Sequence, residues 1–237
     1  GEQIAREVQN MGLCTDFIHI NSGFSRINVK LKDYDGTEIN GMGPAIEPNY
    51  VEALHEKLKQ LKAGDLLVLA GSIPKSLPAA IYSEILMRLQ NRGILFVVDA
   101  TKELLLNALQ YKPFLIKPNN HELGELFHVT LDTREAVVAY AKKLQEKGAG
   151  NVLVSLAGQG AVLVDETGTV HMLAAPRGKL VNAVGAGDSM VAGFLAGWLE
   201  KKDYEHAFRM GVAAGSASAF SALLATGTEI EQVYASL

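Results

Sequence analysis

Residues Gly185-Ala186-Gly187-Asp188 stand directly before the apolar positions Met190, Val191, Phe194, Leu195 and Trp198, whose spacing fits one face of a helix. A helix N-terminus offers unpaired backbone N–H groups and the positive end of the helix dipole. Glycine lets a ligand approach that backbone closely. Such a turn can hold an anion, phosphate being the common case. Asp188 is then either a helix cap or a base that accepts a proton from a hydroxyl, and the basic residues Arg177 and Lys179 precede the turn. Asn119 and Glu122, in Asn119-Asn120-His121-Glu122, read either as a helix cap with its capping-box partner or as hard oxygen donors to magnesium, often through water. Arg26, Asn28 and Lys30 alternate with Ile27, Val29 and Leu31, so they share the polar face of a strand, turned either to solvent or to an anionic substrate. Ser72 is a turn residue or a substrate contact. The six histidines show no metal-ligand spacing and read as surface or core residues.

These residues need elements to position them. Residues 1–12 have a helical pattern, followed by short strands at 16–20, 25–32 and 37–40, the last two joined by a hairpin turn at Asp35-Gly36. From residue 51 the texture changes. An amphipathic helix at 51–64 ends at a glycine cap, and a near-continuous apolar strand follows at 65–71. Helices at 79–93 and around 102–109 then alternate with buried strands at 94–100, 114–119 and 151–158, with a further helix from Arg134 to Gly148. That alternation means a mostly parallel sheet with helices on both faces. Residues 160–165 and 169–175 read as an added hairpin, and the last sixty residues as Ala/Gly-rich helices suited to close packing. The segment at about 14–42 is expected to form a small antiparallel β lid on a single domain spanning 1–237.

Ligands of such sheets bind beyond the strand ends. The segments around Ser72, Lys117–Glu122 and Ser155–Gly160 lie at such ends, and the Gly185 turn precedes a helix. Two rival phosphate motifs fail. Around Ser72 a Lys-Ser pair lacks the glycine that a P-loop requires before its lysine, and the glycine after Gly187 is Gly193, too distant for a dinucleotide fingerprint.

Composition narrows the classes. The 237 residues are 48% hydrophobic and 20% charged, with net charge −4. There is no basic run with interleaved aromatics, so a nucleic-acid partner is not expected. No apolar run reaches the roughly 18 residues of a membrane helix. Cys14 is the only cysteine, which rules out an internal disulfide and fits a cytoplasmic location.

The segment from Asn182 to Phe194 closely resembles the second signature of the PfkB, or ribokinase-like, sugar kinase family. Segments beginning at Ser25, Thr37, Ala70, Lys117, Ser155 and Gly215 resemble the family in the same order along the chain. Within it, the Arg26–Lys30 and Thr37–Pro44 stretches look most like the 1-phosphofructokinases, with the tagatose-6-phosphate kinases as neighbours. The resemblance implies a three-layer ribokinase-like α/β fold. It implies transfer of a phosphoryl group from ATP, with Mg2+, to a small-molecule ketose phosphate, most of all fructose 1-phosphate, giving fructose 1,6-bisphosphate. A non-catalytic sugar-phosphate-binding relative is the alternative from a different class. Asp188 matches the family's base, and Gly185, Ala186 and Gly187 match its anion hole. Asn119 and Glu122 match the element that organises magnesium. Lys117 would lie near the nucleotide phosphates, with Ser155, Gly158 and Gly160 in the nucleotide loop. Arg26 and Asn28 match lid residues facing the sugar phosphate, and Ser72 a substrate-loop residue. Lid sheets of the family often pair between subunits, implying a homodimer. The family also opens with a strand and a glycine-rich sugar-binding segment, neither of which occurs in residues 1–237, so the chain is expected to lack the family's N-terminal segment.

Overall fold

The computed structural model describes residues 1–30 and 38–237. The chain divides into two compact units, the first comprising Gly1–Asp65 and Ser72–Ile94, the second Leu66–Gly71 and Leu95–Leu237.

The first unit opens with α1 (Glu2–Asn10), which ends two residues earlier than its pattern suggests and buries none of its residues. Residues 16–20, expected as a strand, pair with no strand among the described residues. Alternation is not enough, because a strand also needs a neighbour for its N–H and C=O groups. Strands β1 (Asn28–Lys30) and β2 (Glu38–Asn40) pair antiparallel, with Val29 opposite Ile39. Gly41 donates its N–H to the Ile27 carbonyl at 2.9 Å, and a Cβ at Gly41 would lie 2.7 Å from that oxygen, so glycine lets the two backbones close up. The expected turn at Asp35-Gly36, with Leu31 and Lys32, lies outside the described residues.

Helix α2 spans Pro48–Leu58 rather than 51–64. Pro48 suits a first helical position, where its fixed φ fits and no N–H is needed. Gly64 does not cap this helix. Its φ of +91° serves a later turn in which its N–H donates to the Gly93 carbonyl at 2.8 Å. Helix α3 (Ile81–Leu89) buries Ile81, Ile85, Leu86 and Leu89, a single apolar face.

The second unit is built on six strands that pair in sequence order, β3 (Leu66–Ala70), β4 (Leu95–Asp99), β5 (Leu115–Ile116), β6 (Asn151–Ser155), β7 (Ala161–Val164) and β8 (Val170–Leu173). The first four run parallel, and β7 and β8 form the expected hairpin, added antiparallel to the same sheet. Val97, Val98, Val152, Leu153 and Val154 are essentially inaccessible, as parallel strands covered on both faces should be. Each such side chain contributes about 1.5–3 kcal/mol by leaving water. β3 departs from that pattern. Among the described residues it lies at the edge of the sheet, and Val68 is 43% exposed.

Helices pack around the sheet: α4 (Lys102–Ala108) against β4, α5 (Asn120–Phe127) against β6, and α6 (Arg134–Glu146) against β6 and β7. The chain closes with α7 (Ala186–Lys201), α8 (Tyr204–Phe220) and α9 (Gly227–Ser236). Glycines let α7 and α8 approach closely, since a Cβ at Gly193 would lie 2.5 Å from the Met210 carbonyl oxygen and one at Gly215 would lie 3.0 Å from that of Ala186. Phe194 and Phe208 fill the seam with no exposed surface, and Trp198 packs on the same core, stacked on Tyr204 at 4.5 Å. The effect of this packing is to fix the start of α7, where the candidate chemistry begins.

Candidate active site

Gly185 is the N-cap of α7, held at φ +78°, a left-handed conformation that costs glycine little. Ala186, Gly187 and Asp188 form the first turn, and the Ser189 N–H closes it onto the Gly185 carbonyl at 2.8 Å. Asp188 is therefore not the cap, because it lies three residues past that position. Its carboxylate is exposed and takes no protein hydrogen bond among the described residues. The Ala186 N–H makes a long 3.3 Å contact with the Ala183 carbonyl. Those of Gly187 and Asp188 bond to no carbonyl among the described residues, which leaves donors and dipole available to an anion.

A cation stands beside this turn. Lys117, just past β5, is buried, and a Cβ at Gly187 would lie 3.2 Å from its Nζ. Glycine at 187 leaves the room that the ammonium occupies. Nζ is 3.4 Å from Oδ1 of Asp99, the last residue of β4, with the two side chains only 9% and 17% exposed. Burial pushes the Asp99 carboxyl above the usual carboxylate range; Lys117 opposes that shift, while the charges of Asp188 and Glu122 add to it. Three carboxylates thus share one field with one ammonium. Asp99 was missed by sequence reasoning. Its signal is a charged residue closing an otherwise apolar strand at the ligand-binding edge of the sheet.

Asn119 and Glu122 do form a capping box at the start of α5. The Asn119 Oδ1 accepts from the Glu122 N–H and Oε2 of Glu122 accepts from the Asn119 N–H, both at 2.8 Å. The structural alternative is therefore realised, and it leaves Glu122 a second carboxylate oxygen. Among the described residues no three His, Cys, Asp or Glu side chains gather closely enough to hold a metal ion directly. The oxygen donors of Asp99, Asn119 and Glu122, with their excess negative charge, are chemically suited to a hydrated Mg2+.

A cavity of about 690 Å³ opens on the same side of the second unit, with Asn119, Ser155, Gly158, Gly160, Ala186 and Gly187 among its walls. Arg177 also lines it, and Leu180, Met190, Val212 and Phe220 make part of it apolar. Apolar walls with a few polar groups and open backbone suit a base joined to phosphates. The loop at 157–160 is set by backbone geometry. Ala157 has φ +48°, and Gly160 has φ +98° where a Cβ would lie 2.0 Å from the Leu173 carbonyl oxygen. Arg134, the first residue of α6, donates to the Gln159 carbonyl and ties this loop down. Lys117, Glu122, Gly185 and Asp188 are not among the cavity walls.

In the first unit, the Arg26 Nε donates to Oδ1 of Asn28 at 2.9 Å, and its Nη1 donates to Oγ of Ser72. The three residues expected at the substrate are thus joined in one exposed chain of polar groups. Lys30 lies in β1 at the register position opposite Glu38.

A family model described as pfkB family carbohydrate kinase matches residues 1–230. A 1-phosphofructokinase of Bacillus subtilis is 48% identical over 233 residues, covering 98% of this chain and 76% of the relative. A D-tagatose-1-phosphate kinase of Bacillus licheniformis is 32% identical over 233 residues, with the same coverage of 98% and 76%. The tetrameric inhibited form of phosphofructokinase-2 from Escherichia coli superposes with a TM-score of 0.85 at 28% identity, covering 99% of this chain and 77% of that one.

Proposed function

Since the chain belongs to the pfkB family of carbohydrate kinases, we propose that it phosphorylates the 6-hydroxyl of fructose 1-phosphate, giving fructose 1,6-bisphosphate. The observation that carries this reading is the first turn of α7, where an exposed, uncapped Asp188 and open N–H groups share one turn, with the Lys117 ammonium beside Gly187. ATP is the co-substrate that supplies the phosphoryl group. The cavity walls at Ser155, Gly158 and Gly160 hold its nucleotide part, and Lys117 faces its phosphates. Asn119, Glu122 and Asp99 organise the hydrated Mg2+.

Asp188 takes the proton from the attacking hydroxyl as that oxygen bonds to the γ-phosphorus of ATP and the bond from that phosphorus to the bridging oxygen breaks, releasing ADP. The N–H groups of Gly185, Ala186 and Gly187 stabilise the charge that develops on the transferring group. Positioning and charge stabilisation are most of what such a transfer requires. Arg26, oriented by Asn28 and Ser72, grips the phosphate already on the sugar through parallel charged hydrogen bonds.

The relative that acts as a tagatose-1-phosphate kinase makes tagatose 1-phosphate the competing substrate, ahead of tagatose 6-phosphate. A homodimer through the lid is part of this reading, supported by the exposed apolar pair Val29 and Ile39, which stand opposite one another in register. The test is a coupled ATP assay on the full-length protein with the 1- and 6-phosphates of fructose and tagatose. Fructose 1-phosphate should give the highest kcat/KM. A higher value for any other member of the panel would overturn the assignment.

A further inference from the structure

The segment carrying the Gly185–Asp188 turn is laid along the last turn of α8 and the residues that follow it. The N–H groups of Val181 and Asn182 both donate to the Ala219 carbonyl, at 2.9 and 3.1 Å. The Asn182 Nδ2 donates to the Ala222 carbonyl at 3.2 Å. The Leu224 side chain sits over Gly185, where a Cβ would meet its Cδ2 at 2.7 Å. One side chain joins these pieces. The Ser218 hydroxyl, on a residue only 2% exposed, donates to Oγ of Ser189 at 2.9 Å and accepts from the Ala225 N–H at 3.1 Å. Ser189 is the residue next to Asp188, and its own N–H closes the first turn onto Gly185.

We propose that Ser218 is a positioning residue for the transfer chemistry, locking the first turn of α7 and the segment over Gly185 into one arrangement. A serine hydroxyl has one proton to donate and lone pairs to accept, and Ser218 uses both functions at once, each on a different segment. Removing the hydroxyl frees the Ala225 N–H and the Ser189 side chain together. The turn loses its reference to the segment above Gly185 while the close packing of α7 on α8, made by glycines and alanines further along, stays in place. Displacements of about 1 Å at a reacting group cost on the order of 100-fold in rate. Ser218 touches no substrate in this scheme, so its effect falls on kcat and not on binding.

This inference rests on the kinase reading, and the experiment separates the two. Ser218→Ala, Ser189→Ala and the double variant of the full-length protein are compared with wild type by steady-state kinetics on fructose 1-phosphate. Amide hydrogen exchange is followed at residues 186–189 and at Val212 in the middle of α8. Each single change should lower kcat about 10- to 100-fold, with both KM values moving less than about threefold. The double variant should be no worse than the poorer single one, because one linkage is being broken. Exchange in the 186–189 segment should quicken at Ser189, whose N–H closes the turn, and not at Val212. If wild type phosphorylates none of the sugar phosphates yet exchange still quickens at Ser189 and not at Val212, the positioning role stands and the kinase reading falls. Unchanged exchange at Ser189, unchanged kcat in an active enzyme, additive losses in the double variant, or faster exchange at Val212 as well would each overturn the role of Ser218.

Discussion

Arg26 is exposed, so its truncation separates a working contact from a solvated one. Truncation to alanine removes a charged hydrogen-bonding group, worth about 1.5–3 kcal/mol, or roughly 10- to 100-fold in affinity. The KM for the sugar phosphate should rise by that factor in Arg26→Ala while the KM for ATP stays within about twofold, because the residues proposed to hold the nucleotide lie in the other compact unit. Equal rises in both would contradict the assignment. Residues at this scale were legible where the chemistry is local in sequence. Asn119 and Glu122 are three positions apart and their pairing follows from spacing, as does the place of the Gly185 turn at a helix N-terminus. Asp99 was not legible, since its partner Lys117 comes from the next strand along and only the sheet brings them to 3.4 Å. The same holds for Arg26 and Ser72, which are 46 residues apart.

At the scale of elements, two pairings carry separate predictions. The first is the seam between α7 and α8. Gly193→Ala would force a Cβ to within 2.5 Å of the Met210 carbonyl oxygen, whereas a Cβ at Gly227 meets nothing within 4 Å. Overpacking of that kind costs about 1–3 kcal/mol, so Gly193→Ala should lower the denaturation midpoint clearly and Gly227→Ala should not. Equal midpoints would contradict the packing.

The second is a clasp between the sheet and α8. His171 on β8 has Nε2 2.8 Å from Asp165 and Nδ1 2.8 Å from Glu205 in the first turn of α8. Only the doubly protonated ring can donate to both. Burial works against the charge, but hydrogen bonds to Asp165 and Glu205 outweigh it and hold the ring above its ordinary value of 6.5. A raised folded-state value means the clasp stabilises fully below pH 6.5 and loses its contribution as pH rises through that raised value. The gap in Tm between wild type and His171→Asn should therefore be wider at pH 6 than at pH 9. A gap that does not change with pH would contradict it. An element with strong periodicity and a local cap, such as α6, was readable almost to the residue. The expected strand at 16–20 was not, because pairing is decided by neighbours that a local pattern cannot see, and the glycine expected to end α2 serves a turn formed with Gly93 instead.

For the molecule as a whole, the sheet with its surrounding helices was readable because buried strands alternate with amphipathic helices, a pattern that only a mostly parallel layered architecture satisfies. The division of the chain into two units, with β3 in a different unit from the segments on either side of it, was not, since it depends on which contacts outnumber which. Family membership, the open turn at Gly185 and the exposed Asp188 support the proposed activity, phosphoryl transfer from ATP to a ketose phosphate with Asp188 as base. The most direct measurement follows 31P NMR of fructose 1-phosphate, ATP and Mg2+ with wild-type protein and with Asp188→Asn. Asparagine preserves size and cannot accept the proton, and loss of a general base typically costs about 10²- to 10⁴-fold. Wild type should build up fructose 1,6-bisphosphate, and Asp188→Asn, with an unchanged Tm and both substrates still bound, should form it at least about 100-fold more slowly. Product formation by Asp188→Asn at a rate near that of wild type would contradict the account at its centre.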